Sequence, residues 1–181
     1  MTRASSAERA LAALFVVGAI VANFAAMGRA VVGLNIGLLV CFALWMAAPW
    51  GPCSPRLRGA VAVAIAIQIL HVVEEHAAGF YRAFPARFGY EWSAPRFVVF
   101  NVAWLLLFVL ALVGLRSGAR LSYLVVLFLA VVGGVGNGIV HVALATQAGG
   151  YFPGLFTAPL CFAAGAVVVV LLPRATSTGG G

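Results

Sequence analysis

The sequence predicts an all-α, polytopic membrane bundle of about six transmembrane helices, and three observations predict it. Of 181 residues, 64% are hydrophobic and only 8% are charged, whereas a soluble domain carries about 25% charged residues. Mean hydropathy is +1.11. The apolar residues also fall into repeated runs of about 20, the length needed to cross a hydrocarbon core of roughly 30 Å. A soluble enzyme, a disordered tail and a disulfide scaffold are excluded on these grounds. Residues 1–173 fit one transmembrane domain, and residues 174–181 read as a flexible tail.

The six spans are expected at residues 10–27, 30–48, 59–78, 97–115, 121–146 and 155–172, and turn chemistry separates them. Met27-Gly28-Arg29 divides the first two, which is the shortest break. Pro49-Trp50-Gly51-Pro52-Cys53-Ser54-Pro55 ends the second. The segment from Gly79 to Arg96 links the third and fourth as a long aromatic-rich loop. Ser117-Gly118 divides the fourth from the fifth, and Gly149-Gly150-Tyr151-Phe152-Pro153-Gly154 the fifth from the sixth. Pro159 hints at a kink in the last span. The first run exceeds the 7–15 apolar residues of a signal peptide and lacks an A-x-A site, so it reads as a retained helix.

Charge distribution gives orientation rather than a nucleic-acid partner. All eleven cations are arginines scattered between apolar runs, and no basic stripe exists to track a phosphate backbone. With six spans, seven arginines fall on the side of the termini and four on the other. The positive-inside rule then places both termini in the cytoplasm of a multi-pass protein in the cell membrane. Trp50 and Trp92 fall near the interfaces, where aromatic belts sit. Cys41, Cys53 and Cys161 have no metal-type spacing and read as small buried hydrophobes.

The third span carries what an apolar helix should not. Gln68-Ile69-Leu70-His71-Val72-Val73-Glu74-Glu75-His76 places ionisable groups inside the membrane, at about 2.5–3.5 kcal/mol per central charge. Such residues normally face the bundle interior and serve a function. His71 lies one turn from Gln68, Glu74 and Glu75, while His76 points elsewhere. On the fifth span Asn137 and His141 are one turn apart, and Gly134 and Gly138 form a GxxxG pattern suited to close helix packing. Asn101 sits a turn into the fourth span. Because spans alternate in direction, Glu75, Asn101 and His141 fall at similar depth in the outer half, which predicts a site between the third, fourth and fifth spans.

His71-Val72-Val73-Glu74-Glu75, then Phe84-Pro85, Asn137-x-x-x-His141 and Tyr151-Phe152-Pro153-Gly154 occur in an order that resembles the HXXEE-motif family of small bacterial membrane proteins. The resemblance runs from about the third span to the sixth. It implies a membrane domain and names no reaction.

Three chemistries are compatible with these residues. In the favoured one, the adjacent carboxyls of Glu74 and Glu75 do not both ionise readily in low dielectric, so one is kept neutral and donates a proton in an apolar pocket. Glu75 is the first choice as acid, with Glu74 or His71 as partner and His141 completing the catalytic group. Gln68, Asn101 and Asn137 would offer hydrogen bonds, while Trp104, Phe80 and Phe100 would stabilise a cationic intermediate. This is the logic of an isomerase or lyase acting on an isoprenoid-like lipophilic substrate, as in membrane terpene cyclases, without a cofactor. The alternative is one zinc or iron ion held by His71, Glu75 and His141. The non-enzymatic alternative is a proton-linked transporter or membrane subunit, with Glu74 paired to Arg82 or Arg96. The loop above the cluster is a lid or an interfacial belt, and its Arg82, Arg87 and Arg96 would suit an anionic lipid headgroup or a diphosphate.

Overall fold

The computed structural model describes residues 3–51 and 53–177, with side chains through Leu172. Among the described residues the regular structure is entirely helical apart from one isolated bridge position at Trp50. α1 (Ser6–Met27) starts on a capping box, in which Ser5 accepts from the Glu8 backbone and the Glu8 carboxylate accepts from the Ser5 amide. It ends at Gly28, whose φ of 62° only glycine adopts cheaply. A short 3₁₀ turn leads into α2 (Val32–Ala47). Pro55 in the first turn and a Ser54 cap start α3 (Pro55–Ala77), and Ser93 with Pro95 does the same for α5 (Ala94–Gly114). Between them lies α4 (Phe80–Ala86), entered through Gly79 at φ 79°. The expected long loop is therefore partly helical.

The fifth span is one helical rod in three parts. These are α6 (Arg120–Phe128), a π-helical stretch (Leu129–Gly136) and α7 (Asn137–Ala148). After an irregular loop, α8 (Ala158–Ser177) completes the chain. Pro159 falls in its first turn, where a missing amide costs nothing, so no kink results. The α8 backbone runs into the expected tail as far as Ser177, and residues 178–181 lie outside the described ones.

α1 and α2 form an antiparallel hairpin. The Asn23 amide donates to Asn35 at 2.7 Å, which a continuous helix would place about 18 Å apart. At the other end, Glu8 bonds the Arg120 guanidinium at 2.6 Å while the Trp45 indole donates to the Arg120 carbonyl at 2.8 Å. Four helical stretches are long and apolar enough to cross a membrane: Ser6–Ala47, which contains the hairpin, Pro55–Ala77, Ala94–Ser117 and Arg120–Ala148. The apolar part of α8, Ala158–Leu172, is shorter. Large aliphatic side chains such as Leu14, Val99, Leu110 and Val170 point outward. A water-soluble surface does not tolerate such a density of exposed apolar groups, whereas lipid does. The chain reads as a membrane protein.

Trp50 and Trp92 are buried rather than arrayed in a belt. Trp50 donates to the Trp45 carbonyl and Trp92 to the Met27 carbonyl, so each ties a connection to a helix end. The fifth span and α8 pack backbone to backbone. A Cβ on Gly134 would stand 2.6 Å from the Gly165 Cα, and one on Gly138 would stand 2.6 Å from the Phe162 Cβ. The glycines of the GxxxG pattern thus serve helix packing.

Candidate metal centre

Two turns of α3 and one position on α7 build the centre. His71 and Glu75, four residues apart, share the face of α3 turned toward α7, where His141 meets them. All three are buried, both histidines almost completely. Glu75 Oε1 lies 3.2 Å from His141 Nε2 and 3.6 Å from His71 Nε2. The imidazoles meet edge to face with centroids 4.7 Å apart. One ligand atom from each of the three residues falls within 4.8 Å of the others. A tetrahedral zinc ion with bonds of about 2.0–2.2 Å separates its ligands by about 3.3 Å, so both measured carboxylate–imidazole spacings suit a shared ion.

The loop from Gly149 to Thr157 orients these side chains. The Thr157 hydroxyl donates to Glu74 Oε2 at 2.6 Å and lies 2.7 Å from His71 Nδ1. A hydroxyl has one hydrogen, so Thr157 must accept from His71 Nδ1–H. That fixes the tautomer and leaves His71 Nε2 as a bare lone pair, buried and without a hydrogen-bond partner. A Glu–Thr–His relay behind an imidazole is the support that metal-binding histidines receive from a carboxylate or a neutral acceptor. Glu74 also accepts from the backbone amides of Phe156 and Thr157 and from the Tyr151 hydroxyl at 2.8–3.0 Å. Partial desolvation and the adjoining carboxylate push the exposed Tyr151 phenol above its usual range, and it stays a donor.

Glycine is required at Gly154. Its φ is +93°, and a Cβ there would stand 2.6 Å from His141 Nδ1 and 2.9 Å from His71 Cε1. The loop backbone therefore lies directly on the two imidazoles. Aromatic rings close the remaining side: Phe80 of α4 is 5.4 Å from the His141 ring, and Phe152 is 6.0 Å from Phe80. Arg87 holds this roof down, bonding Gln147 at 3.1 Å and lying over the Phe152 ring.

The structure corrects several sequence expectations. Glu74 and Glu75 do not act as a facing pair: a 100° step around α3 sends Glu75 to the histidines and Glu74 to the loop. Glu74 is paired with neither Arg82 nor Arg96 among the described residues. The fourth span does not supply the centre. Asn101 donates to the Phe97 carbonyl of its own helix, and Trp104 bonds Asn23 of α1 and packs on Phe128. Phe100 packs against the main core and against the smaller cluster of Met27, Val31, Trp92 and Phe97 rather than on the histidines. The loop before α8 takes that place, because α8 packs between α3 and the fifth span. Gln68 lies against Gly133 of the π stretch, and Asn137 is half-buried one turn before His141. Phe80 is the expected aromatic that does reach the cluster. His76 points away, beside Tyr81 and Phe97, as its angle predicted.

Sequence reasoning missed Thr157, and it used Gly154 and Tyr151 only as motif letters. The signal available was Tyr151-Phe152-Pro153-Gly154 followed by a threonine one turn on.

No curated protein and no solved structure matches the chain. A family profile described as a protein of unknown function with HXXEE motif matches residues 62–169, which runs from α3 into α8 and includes every residue of the centre. The chain belongs to this HXXEE-motif family.

Proposed function

We propose that this is a membrane enzyme in which His71, Glu75 and His141 hold one zinc or iron ion and act on a lipophilic substrate that carries an oxygen function. The observation supporting this most directly is the Thr157–Glu74 relay, which turns the His71 lone pair toward a carboxylate oxygen that stands at metal-shell spacing from both imidazoles. A bare His71 nitrogen and the Glu75 carboxylate converging in a buried site are costly unless a cation or proton lies between them. An ion held by His71, Glu75 and His141 would supply Lewis-acid polarisation and acidified water. Within this reading Glu75 and the two histidines bind, Glu74 and Thr157 orient, and Phe80 with Phe152 exclude bulk water. His141 Nδ1 is buried under Gly154 without a hydrogen-bond partner. The seven-to-four arginine bias puts both termini in the cytoplasm and the centre toward the outer leaflet.

The second reading keeps the site metal-free, with a protonated Glu75 as acid for isomerisation or cyclisation of an isoprenoid-like lipid. The aromatic roof favours it, since the rings of Phe80 and Phe152 beside His141 suit a cationic intermediate.

Metal analysis of detergent-purified protein separates the two. One zinc or iron per chain is expected in the wild type, lost in His71→Ala, His141→Ala and Glu75→Gln. Thr157→Val should weaken affinity by about 10–100-fold, and Thr157→Ser should restore it. If wild-type protein reloaded with either ion holds no more than the His71→Ala/His141→Ala variant, the metal reading is wrong.

A further inference from the structure

We propose that the lipid-facing groove between α1 and α5 binds an anionic phospholipid, with its phosphate on Arg96 and one acyl chain along the groove. This site is separate from the histidine centre and does not rest on the reading given for it.

The groove encloses about 460 Å³, within the roughly 300–1,000 Å³ of small-ligand sites. It is cut by small side chains. On α1, Ala19, Ala22 and Ala26 form one stripe. On α5, Ala103 continues the channel and Trp104 walls it. From Arg96 to Leu107 the α5 lining runs about 16 Å at 1.5 Å per residue. That is about half of the ~30 Å hydrocarbon core, the depth of one leaflet. The polar groups at its wall are already used: the Trp104 indole donates to Asn23, and the Asn23 amide donates to Asn35. A guest therefore meets hydrocarbon along the groove, as an acyl chain requires.

The mouth is different. Arg96 is exposed in the first turn of α5 and is the one charged residue lining the groove. Among the described residues its guanidinium has no hydrogen-bond or ion-pair partner. The other arginines of the preceding segment are engaged: Arg82 lies over the Tyr81 ring, and Arg87 is held by Gln147 and Phe152. The positive end of the α5 dipole adds to the field at the same place. One cation above an apolar channel of leaflet depth complements a phosphate esterified to an acyl chain.

Trp104 makes the groove observable. Wild type and Trp104→Phe are reconstituted in phosphatidylcholine vesicles carrying equal fractions of brominated phosphatidylcholine or brominated phosphatidylglycerol. The difference between the two proteins isolates quenching of Trp104. Brominated phosphatidylglycerol should associate about fivefold more strongly than the choline lipid, the effect of one arginine near an anionic headgroup. Arg96→Gln should bring the two lipids to parity while quenching persists. Ala22→Phe, which fills the channel from the lipid-facing side, should protect Trp104 from both. Equal quenching by both lipids in the wild type, or a preference that survives Arg96→Gln, overturns the proposal. So does a Trp104 shielded from both lipids by a second copy, seen as a cross-linked dimer. Should Trp104→Phe fail to fold, native mass spectrometry of wild type and Arg96→Gln with added phosphatidylglycerol reads the same preference.

Discussion

A single missing Cβ decides whether the histidine centre exists. Gly154 combines a left-handed φ with a backbone pressed on both imidazoles, so alanine there meets two penalties together: strained backbone and a methyl group where the rings stand. A positive-φ residue of this kind costs roughly 1–3 kcal/mol, and displaced rings no longer share a ligand geometry. Gly154→Ala should lower the melting temperature in detergent and weaken metal affinity by at least about tenfold, the scale of losses around a metal shell. Gly150→Ala is the control, because nothing approaches its Cβ, and it should stay within about 0.5 kcal/mol of the wild type. Identical behaviour of the two variants would mean that the loop is not seated on the histidines. The same scale explains the division of labour in the HXXEE motif: two adjacent glutamates point about 100° apart, so Glu75 faces the two histidines while Glu74 anchors the loop.

At the level of elements, the centre depends on how closely α8 approaches the fifth span. A Cβ on Gly165 would stand 2.5 Å from the Ala130 carbonyl oxygen and 2.8 Å from the Val135 amide, in a stretch where the π-helical turn of Leu129–Gly136 presents its backbone. Backbone cannot yield as a flexible side chain can. Overpacking by even small groups costs about 1–3 kcal/mol, and Gly165→Leu should exceed that, separating α8 from its neighbour and lifting Thr157 off His71. Folded yield by size-exclusion and metal content per chain are expected to fall together, whereas Gly18→Leu on the open face of α1 should change neither. Retention of both in Gly165→Leu would show that the seam is not what seats α8. This seam is also the reason the loop before α8, and not the fourth span, completes the site that the third and fifth spans build. In membrane helices core and lipid are equally apolar, so the pattern of Phe97–Leu115 carries little information about which face turns inward. Asn101 matches the cluster in depth alone, and depth does not fix direction.

Across the whole molecule, what could be read was what water and lipid enforce. Six apolar runs divided by glycine, proline and serine became six long helical units, because each change of direction needs such residues at the interface. His71, Glu75 and His141 were legible too, since an ionisable group in hydrocarbon must find partners and helical spacing names them. Thr157 was not legible, because a threonine at a helix start has ordinary capping work and no spacing rule ties it to a residue eighty-six positions earlier. The remaining global property is orientation, and Cys53 reports on it. It lies between α2 and α3, on the same side as the termini, and is half-buried, while Cys41 and Cys161 are buried within the bundle. With both termini in the cytoplasm, a membrane-impermeant maleimide should label Cys53 only after intact cells are permeabilised, and Cys53→Ser should remove the signal. Burial pushes the Cys53 thiol above its usual range, with the nearby Arg58 only partly opposing it. The thiolate is the reacting form, so at neutral pH less of it is present than for a free cysteine, and the labelling rate should still be climbing above the ordinary thiol range of about 8.5. Labelling of intact cells at the same rate as permeabilised ones would reverse the orientation and place the histidine centre in the inner leaflet.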